Sequence, residues 1–195
     1  MTFIRTLKYG KSQVIKDVAF CTLLKNKLPN DNKPFDELIA DFDKEVRKID
    51  KSVTKDALNN VHGDWYEWLL AIAAWNFCVE NKKAHLPFLT PNVSQFDIAK
   101  LYNDKLYNLI QDLRDKVLTS SSVQLISSNP DFVIIDRTLV NKIFPKLDKI
   151  TAIDQAAILK IETAYKAFET QCGFDDIHGY FSVKTSFRPD RRLQI

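Results

Sequence analysis

The sequence predicts an α/β fold, in which a small mixed sheet is flanked by helices and follows a helix-rich N-terminal part. In the first part of the chain, apolar residues recur mainly at helical spacing. Later, "SSVQLISS", "DFVIID" and "GYFSVKTS" are short β-branched or aromatic runs bounded by Ser, Asn, Pro or Gly, as is typical of strands. This order favours one mixed domain over residues 1–195, with a helical portion at about 1–118 and a sheet-containing portion at about 119–195.

Five segments have helical periodicity. The first begins at Ser12 and ends before Pro29, and "DNKPFDELIADFDKEVRKIDKSV" forms a second, amphipathic helix. Asp64 is a candidate N-cap for a third helix that is apolar nearly all round, which indicates packing on several sides. A fourth helix is expected over about 94–113, and a fifth, between the last two strands, over about 153–172.

The composition is that of an ordinary globular protein, with 45% hydrophobic and 27% charged residues, which excludes disordered and fibrous classes. A net charge of +3 is too small to indicate nucleic-acid binding by itself. The three cysteines are far apart and form no CxxC pair, so we expect a reducing, cytoplasmic location. The three histidines show no metal-ligand spacing and are interpreted as polar or capping residues.

Glu67 is the first candidate for chemistry. Successive steps of three or four residues from Glu67 follow one face of the helix, and the positions on this face carry small or apolar side chains. A carboxylate without a partner is costly on such a face. These positions are Leu70, Ala71, Ala74 and Cys78. The alternative is that Glu67 lies in the first turn of its helix, where the helix dipole favours a carboxylate.

Asp131 is the second candidate, because it stands at the start of a predicted strand beside apolar neighbours, where a carboxylate could face a metal ion. The alternative is ordinary turn chemistry, since Asn-Pro-Asp is a common turn sequence.

Lys184 is the third candidate, because strand alternation puts it with Ser182 on one face of an otherwise core-like segment. Arg188, Asp190, Arg191 and Arg192 follow, and we call them the arginine cluster. Arginine forks suit phosphate oxygens and the guanine edge, and an acid can accept from cytosine. The alternative is a salt-bridged surface loop.

In order along the chain, Pro130-Asp131 and then Ser182-x-Lys184 resemble the PD-(D/E)XK nuclease signature, in its variant with serine at the usual acid position. The continuation "KTSFRPDRR" resembles type II restriction endonucleases that cut CCGG-containing sites, in which an Arg-x-Asp-Arg element follows the lysine. The resemblance implies a restriction-endonuclease-like fold and hydrolysis of double-stranded DNA at a G·C-rich palindromic site.

The resemblance also implies the roles of individual residues. Asp131 would bind Mg²⁺ with help from Glu67, Lys184 would orient or activate the attacking water, and Ser182 would occupy the place of an acid. The arginine cluster would bind DNA, with Arg188, Asp190 and Arg191 reading G·C pairs in the major groove. Paired cuts in a palindromic site favour a homodimer or higher homo-oligomer.

The sequence departs from the pattern of this family in one respect, which is the position of a further acid. Members with serine before the lysine carry a glutamate about fourteen residues after it, and this sequence ends at Ile195. We therefore expect that the polypeptide is a piece of a longer enzyme, or that Glu67 substitutes for the missing acid.

Two other classes remain open at this point. A sequence-specific DNA-binding fragment without catalysis would account for the missing acid. A helical protein whose arginines bind an acidic partner would account for the amphipathic helices and the modest charge.

Overall fold

The computed structural model describes residues 3–7, 12–29, 33–91, 96–125 and 130–183. Its α-helices are α1 (Lys16–Leu23), α2 (Phe35–Ile49), α3 (Lys55–Glu80), α4 (Asp104–Ser121), α5 (Arg137–Ile143) and α6 (Gln155–Thr163). Its strands are β1 (Ile4–Thr6), β2 (Ser12–Val14), β3 (His85–Leu89), β4 (Phe132–Asp136) and β5 (Ile177–Phe181). Short 3-10 helices occupy Ile98–Leu101, Ala164–Phe168 and Phe174–Asp176.

The strands form two small sheets. β1 pairs with β2, and β4 lies between β3 and β5 in a three-stranded sheet. All of these pairs within the described ranges are antiparallel. The α/β class predicted from the sequence, with a small sheet flanked by helices, is therefore confirmed.

The chain divides into two compact units, which are described separately. The first comprises Met1–Ala73 and Ile150–Ile161, and the second comprises Ala74–Lys149 and Glu162–Ile195. α3 contributes residues to both units.

Aromatic side chains fill the core of the first unit. Trp65 and Trp68 are 0% and 1% exposed, although they are among the largest side chains in the protein. Phe42 meets Trp65 edge to face at 5.5 Å, and Phe20 meets Trp68 at 5.2 Å between ring centroids. Burial of such rings contributes several kcal/mol of stabilisation, on the order of 1.5–3 kcal/mol for each large side chain.

The core of the second unit lies against one face of the three-stranded sheet. Val133 and Ile135 of β4 are both fully buried in it, in line with the two-residue period of a strand. Phe88 of β3 meets Phe168 at 4.5 Å between ring centroids. This packing holds the sheet, and thus both of its ends, in a defined position.

Several predicted boundaries are wrong. Residues 12–14 form β2 rather than the start of a helix, and α1 begins at Lys16. Asp64 does not cap α3: the helix begins at Lys55, and the Thr54 hydroxyl accepts a hydrogen bond from the Ala57 N–H at 3.2 Å. The Asp64 carboxylate instead pairs with Lys16 at 2.8 Å.

The fourth predicted helix is interrupted. Asp97 caps the 3-10 helix Ile98–Leu101 by accepting from the Ala99 N–H, and α4 starts separately after its own N-cap, Asn103. The strand predicted at "SSVQLISS" is also wrong in its described part, since α4 runs to Ser121 and residues 123–125 are irregular. The rest of that segment, 126–128, lies outside the described ranges.

No helix among the described residues combines the length and the apolar character that crossing a bilayer requires.

Candidate active site

The candidate site lies at one end of the three-stranded sheet, which we call the Asp131 end. Leu89 in β3 pairs with Phe132 in β4, and Phe132 pairs with Phe181 in β5. The last residue of β3, the first of β4 and the last of β5 therefore lie side by side. Asp131 immediately precedes β4 and is half-buried there.

The backbone of Asp131 is fixed from both sides. Its N–H donates to the Phe181 carbonyl at 3.1 Å, and its carbonyl accepts from the Thr90 N–H at 2.9 Å. The backbone hydrogen bonds between the strands thus extend to Asp131, one residue before β4, towards both neighbouring strands. Because both backbone groups are bound, the direction of the Asp131 side chain is set by the sheet.

The Asp131 carboxylate contacts the segment that leads to Lys184. Its Oδ2 atom accepts a hydrogen bond from the Val183 N–H at 2.5 Å. Hydrogen bonds to a charged acceptor are shorter and stronger than neutral ones. Oδ1 accepts no hydrogen bond from any residue that the structure describes.

Thr90 holds the Pro130-Asp131 dipeptide from the other side. It is 3% exposed, and its hydroxyl donates to the carbonyl of Pro130. Together with the backbone contact to Asp131, this gives Thr90 two hydrogen bonds to consecutive residues. Sequence reasoning missed Thr90, because its role depends on the pairing of β3 with β4.

Aromatic contacts stiffen the same end of the sheet. Phe132 and Phe181, which are direct partners in neighbouring strands, stack at 4.6 Å with planes 4° apart. Tyr180 shares a hydrogen bond of 2.9 Å between its hydroxyl and that of Tyr102. Cross-strand aromatic pairs of this kind each contribute about 0.5–1.5 kcal/mol beyond their buried area.

The other predicted site residues have different positions. Ser182 follows β5 directly and is exposed, whereas the strand predicted to run through it ends at Phe181. Lys184 and the arginine cluster lie in 184–195, outside the described residues.

Glu67 is half-buried in the interior of α3 and belongs to the first unit, whereas Asp131 belongs to the second. The first-turn alternative for Glu67 is wrong, because α3 begins at Lys55.

A second group of side chains lies at the opposite end of the sheet. The potential ligand atoms of His85, Asp136 and His178 all lie within 4.8 Å of one another. Sequence spacing gave no signal for this group, since the two histidines are far apart along the chain and only strand pairing unites them. The structure therefore places His85 and His178, interpreted above as polar or capping residues, next to each other and to Asp136.

Asp136 also has a local structural role. Its Oδ1 accepts a hydrogen bond of 2.6 Å from the Thr138 N–H and thereby caps α5. Hydrogen bonding from Thr138, and then the nearby His178 and His85, lower the pKa of the Asp136 carboxyl below its usual range. The group is therefore a carboxylate at neutral pH.

Comparisons with known proteins agree with this architecture. The family model for the Cfr10I/Bse634I restriction endonuclease matches residues 6–195. The type II restriction enzyme Cfr10I of Citrobacter freundii is 34% identical over 191 residues, which cover 96% of this chain and 67% of that enzyme.

Solved structures of a restriction endonuclease also match this chain. The type IIF restriction endonuclease Bse634I with cognate DNA matches with a TM-score of 0.82 and 29% identity, over 99% of this chain and 69% of that one. Another Bse634I structure matches with a TM-score of 0.80 at 29% identity, with the same coverage. The similarity thus extends over both compact units, and the chain belongs to the Cfr10I/Bse634I family of type II restriction endonucleases, which are site-specific deoxyribonucleases.

Proposed function

We propose that this endonuclease uses Mg²⁺ to hydrolyse double-stranded DNA at a G·C-rich palindromic site, with its reaction centre at the Asp131 end of the sheet. The observation that carries the proposal is the 2.5 Å hydrogen bond from the Val183 N–H to the Asp131 carboxylate. It joins the aspartate of the first motif to the residue directly before the lysine of the second.

The donor set at this end suits a hard cation. Mg²⁺ prefers carboxylate oxygens and keeps several waters, and Asp131 Oδ1 is an oxygen without a hydrogen bond from the described residues. When bound, the ion supplies charge neutralisation at the phosphate that is attacked. Glu67 is proposed as a second carboxylate that helps Asp131 to bind the ion, and only the sequence pattern supports this role.

Lys184 is proposed to hold the attacking water and Ser182 to lie beside it. An ammonium one residue beyond Val183 can orient a water molecule by donating to its oxygen, and it favours the deprotonated form of that water. The Asp131–Val183 hydrogen bond supports this role, because it fixes the backbone adjacent to Lys184.

The arginine cluster is proposed to bind DNA and to read G·C pairs. Bidentate contacts from Arg188 and Arg191 to guanine, and acceptance by Asp190 from cytosine, each discriminate by about 1–3 kcal/mol against a wrong base. Arg192 is proposed to contact phosphate. The solved complex of Bse634I with cognate DNA supports double-stranded DNA as the partner.

We further propose that the enzyme is a homodimer or a higher homo-oligomer. Support comes from α4, which has no buried residue although apolar side chains repeat along one face at helical spacing. Leu109 and Leu113 on this face are 61% and 55% exposed. An apolar helix face of this kind is typical of an interface between copies. The three free cysteines support a reducing, cytoplasmic location.

The central test is metal-dependent cleavage by variants of the Asp131 end. Wild-type protein incubated with supercoiled plasmid and Mg²⁺ should yield discrete fragments, and EDTA should abolish them. Asp131→Asn keeps the side-chain shape and an acceptor for Val183 but removes the charge, so we expect cleavage to slow by at least about 100-fold. Lys184→Ala should produce a loss of similar size.

Asp175→Asn is the matched control, because this acid is exposed and lies in the separate 3-10 helix Phe174–Asp176. DNA binding should be measured in parallel by mobility shift without Mg²⁺. Wild-type cleavage rates in Asp131→Asn would refute the assignment of Asp131. Specific binding by the wild type without any cutting would instead favour the catalytically incomplete DNA-binding fragment.

A further inference from the structure

We propose that His85, Asp136 and His178 form a binding site for a divalent transition-metal ion of the zinc class. Their potential ligand atoms lie within 4.8 Å of one another. The site lies at the end of the sheet opposite to Asp131, about 17 Å away for five residues at ~3.3 Å each. It is therefore separate from the reaction centre proposed above and does not depend on it.

Each of the three ligands comes from a different strand. His85 opens β3 and is the direct partner of Asp136, the last residue of β4. In β5 the register shifts, so that Ile134 pairs with Gly179 but Ile135 pairs with Ile177. His178 is the extra residue of this bulge, and bulges commonly redirect one side chain. The result is that its ring lies 3.8 Å from the ring of His85 between centroids.

The separation of His178 and Asp136 is compatible with a shared ion. His178 Nε2 and Asp136 Oδ2 are 3.6 Å apart, which is too long for a hydrogen bond. Ligand atoms at ~2.1 Å from a tetrahedral ion stand ~3.4 Å from each other. The two atoms are thus close to the separation that an ion between them requires.

Asp136 can ligate without giving up its structural role. Its Oδ1 accepts from the Thr138 N–H and caps α5, which leaves Oδ2 directed at His178. The neighbouring cation, Arg137, is occupied elsewhere: its guanidinium donates to the carbonyl of Cys78 at 2.6 Å and to that of Lys83. The carboxylate charge therefore remains available to a bound cation.

The ligand chemistry selects the ion. Two imidazoles and one carboxylate suit Zn²⁺ and its congeners, which take a water as the fourth ligand in such sites, whereas Mg²⁺ prefers oxygen ligands. The cysteines compete poorly, because burial raises the pKa of Cys21 to about 11 and that of Cys172 to about 12. An ion held by three strands would lock this end of the sheet and stabilise the fold.

The test is zinc binding by metal-stripped full-length protein in buffer that contains excess Mg²⁺. Calorimetry should give one equivalent of Zn²⁺, and Co²⁺ should develop visible absorption bands of a site with nitrogen ligands. Loss of even an outer-shell partner weakens metal binding by about 10–100-fold, so His85→Ala and His178→Ala should each weaken it by about 100-fold or more. Zn²⁺ at about 100 times Kd should raise the wild-type Tm by about 5–10 °C.

Two variants guard against effects of misfolding. Asp136→Asn retains an oxygen acceptor for the Thr138 N–H, so it should keep the α5 cap and still weaken zinc binding. His62→Ala is the matched control, since His62 Nε2 contacts Asp43 at 2.7 Å in the other unit, outside the three-ligand group. Equal zinc affinity in wild type and in folded His85→Ala and His178→Ala, or no stoichiometric binding by the wild type, would overturn the proposal.

Discussion

Thr90 shows how one buried residue fixes the start of β4. Its hydroxyl donates to Pro130 and its N–H to Asp131, so replacement should disturb both residues of the first motif. Thr90→Val has nearly the same shape but leaves the buried Pro130 carbonyl without its side-chain donor. We expect a loss of about 1–3 kcal/mol in the free energy of unfolding, measured by urea denaturation.

Thr90→Ser is the control for this prediction, because it keeps the hydroxyl and removes only one methyl group. It should retain most of the stability, with a loss of about 1 kcal/mol from the missing methyl. If Thr90→Val is as stable as the wild type, or Thr90→Ser is the more damaged of the two, the hydrogen bond to Pro130 does not fix this turn.

At the level of secondary-structure elements, α4 is tied to the preceding 3-10 helix by a two-pronged ion pair. The Arg114 guanidinium donates to both oxygens of Asp97, at 2.6 Å and 3.0 Å. The side chains are only 19% and 22% exposed, and the hydrogen bond to Asp97 raises the pKa of Arg114. We expect Arg114→Ala to lower the free energy of unfolding by about 1–3 kcal/mol.

A second ion pair on α4 provides the comparison. Lys116 and Asp112 also lie 2.6 Å apart, but their side chains are 73% and 56% exposed. Solvent screens such a pair, so Lys116→Ala should cost no more than about 0.5 kcal/mol. Equal losses in the two variants would show that burial does not distinguish these pairs.

The secondary-structure elements differ in how well the sequence predicts them. The apolar stripe of the segment around α2 predicts an amphipathic helix, and Ile39, Phe42 and Val46 on that stripe are buried. β3 was missed because "HLPFL" contains a proline, which is excluded from central strands. Pro87 is tolerated because β3 lies at the edge of its sheet among the described strands. Periodicity does not reveal which strands become edges.

The residues of the candidate site were predictable only in part, because some of them meet only through strand pairing. Asp131 and the segment before Lys184 could be identified from their residue types, and the structure joins them through Val183. Thr90 and the group of His85, Asp136 and His178 could not, because their contacts arise from strand pairing and from a bulge. Such long-range contacts leave no local pattern in a single sequence.

In the molecule as a whole, the three-stranded sheet has different chemistry at its two ends. The Asp131 end carries a carboxylate, which suits a hard ion. The other end carries two imidazoles and a carboxylate, which suit a softer ion. Because β4 and its buried residues connect the two ends, the stability of one end supports the geometry of the other.

The exposed apolar face of α4 is the proposed contact between copies of the chain. If this helix face joins copies of the chain, a charge placed there must be buried unpaired on association, so Leu113→Glu should weaken the oligomer by at least about 30-fold. Ile49→Glu in α2 is the matched control, since Ile49 is 56% and Leu113 55% exposed. Light scattering during size exclusion should give a smaller particle for Leu113→Glu and the wild-type mass for Ile49→Glu, with both variants equally folded by circular dichroism. A monomeric wild type, or an unchanged mass in Leu113→Glu, would rule out α4 as the interface.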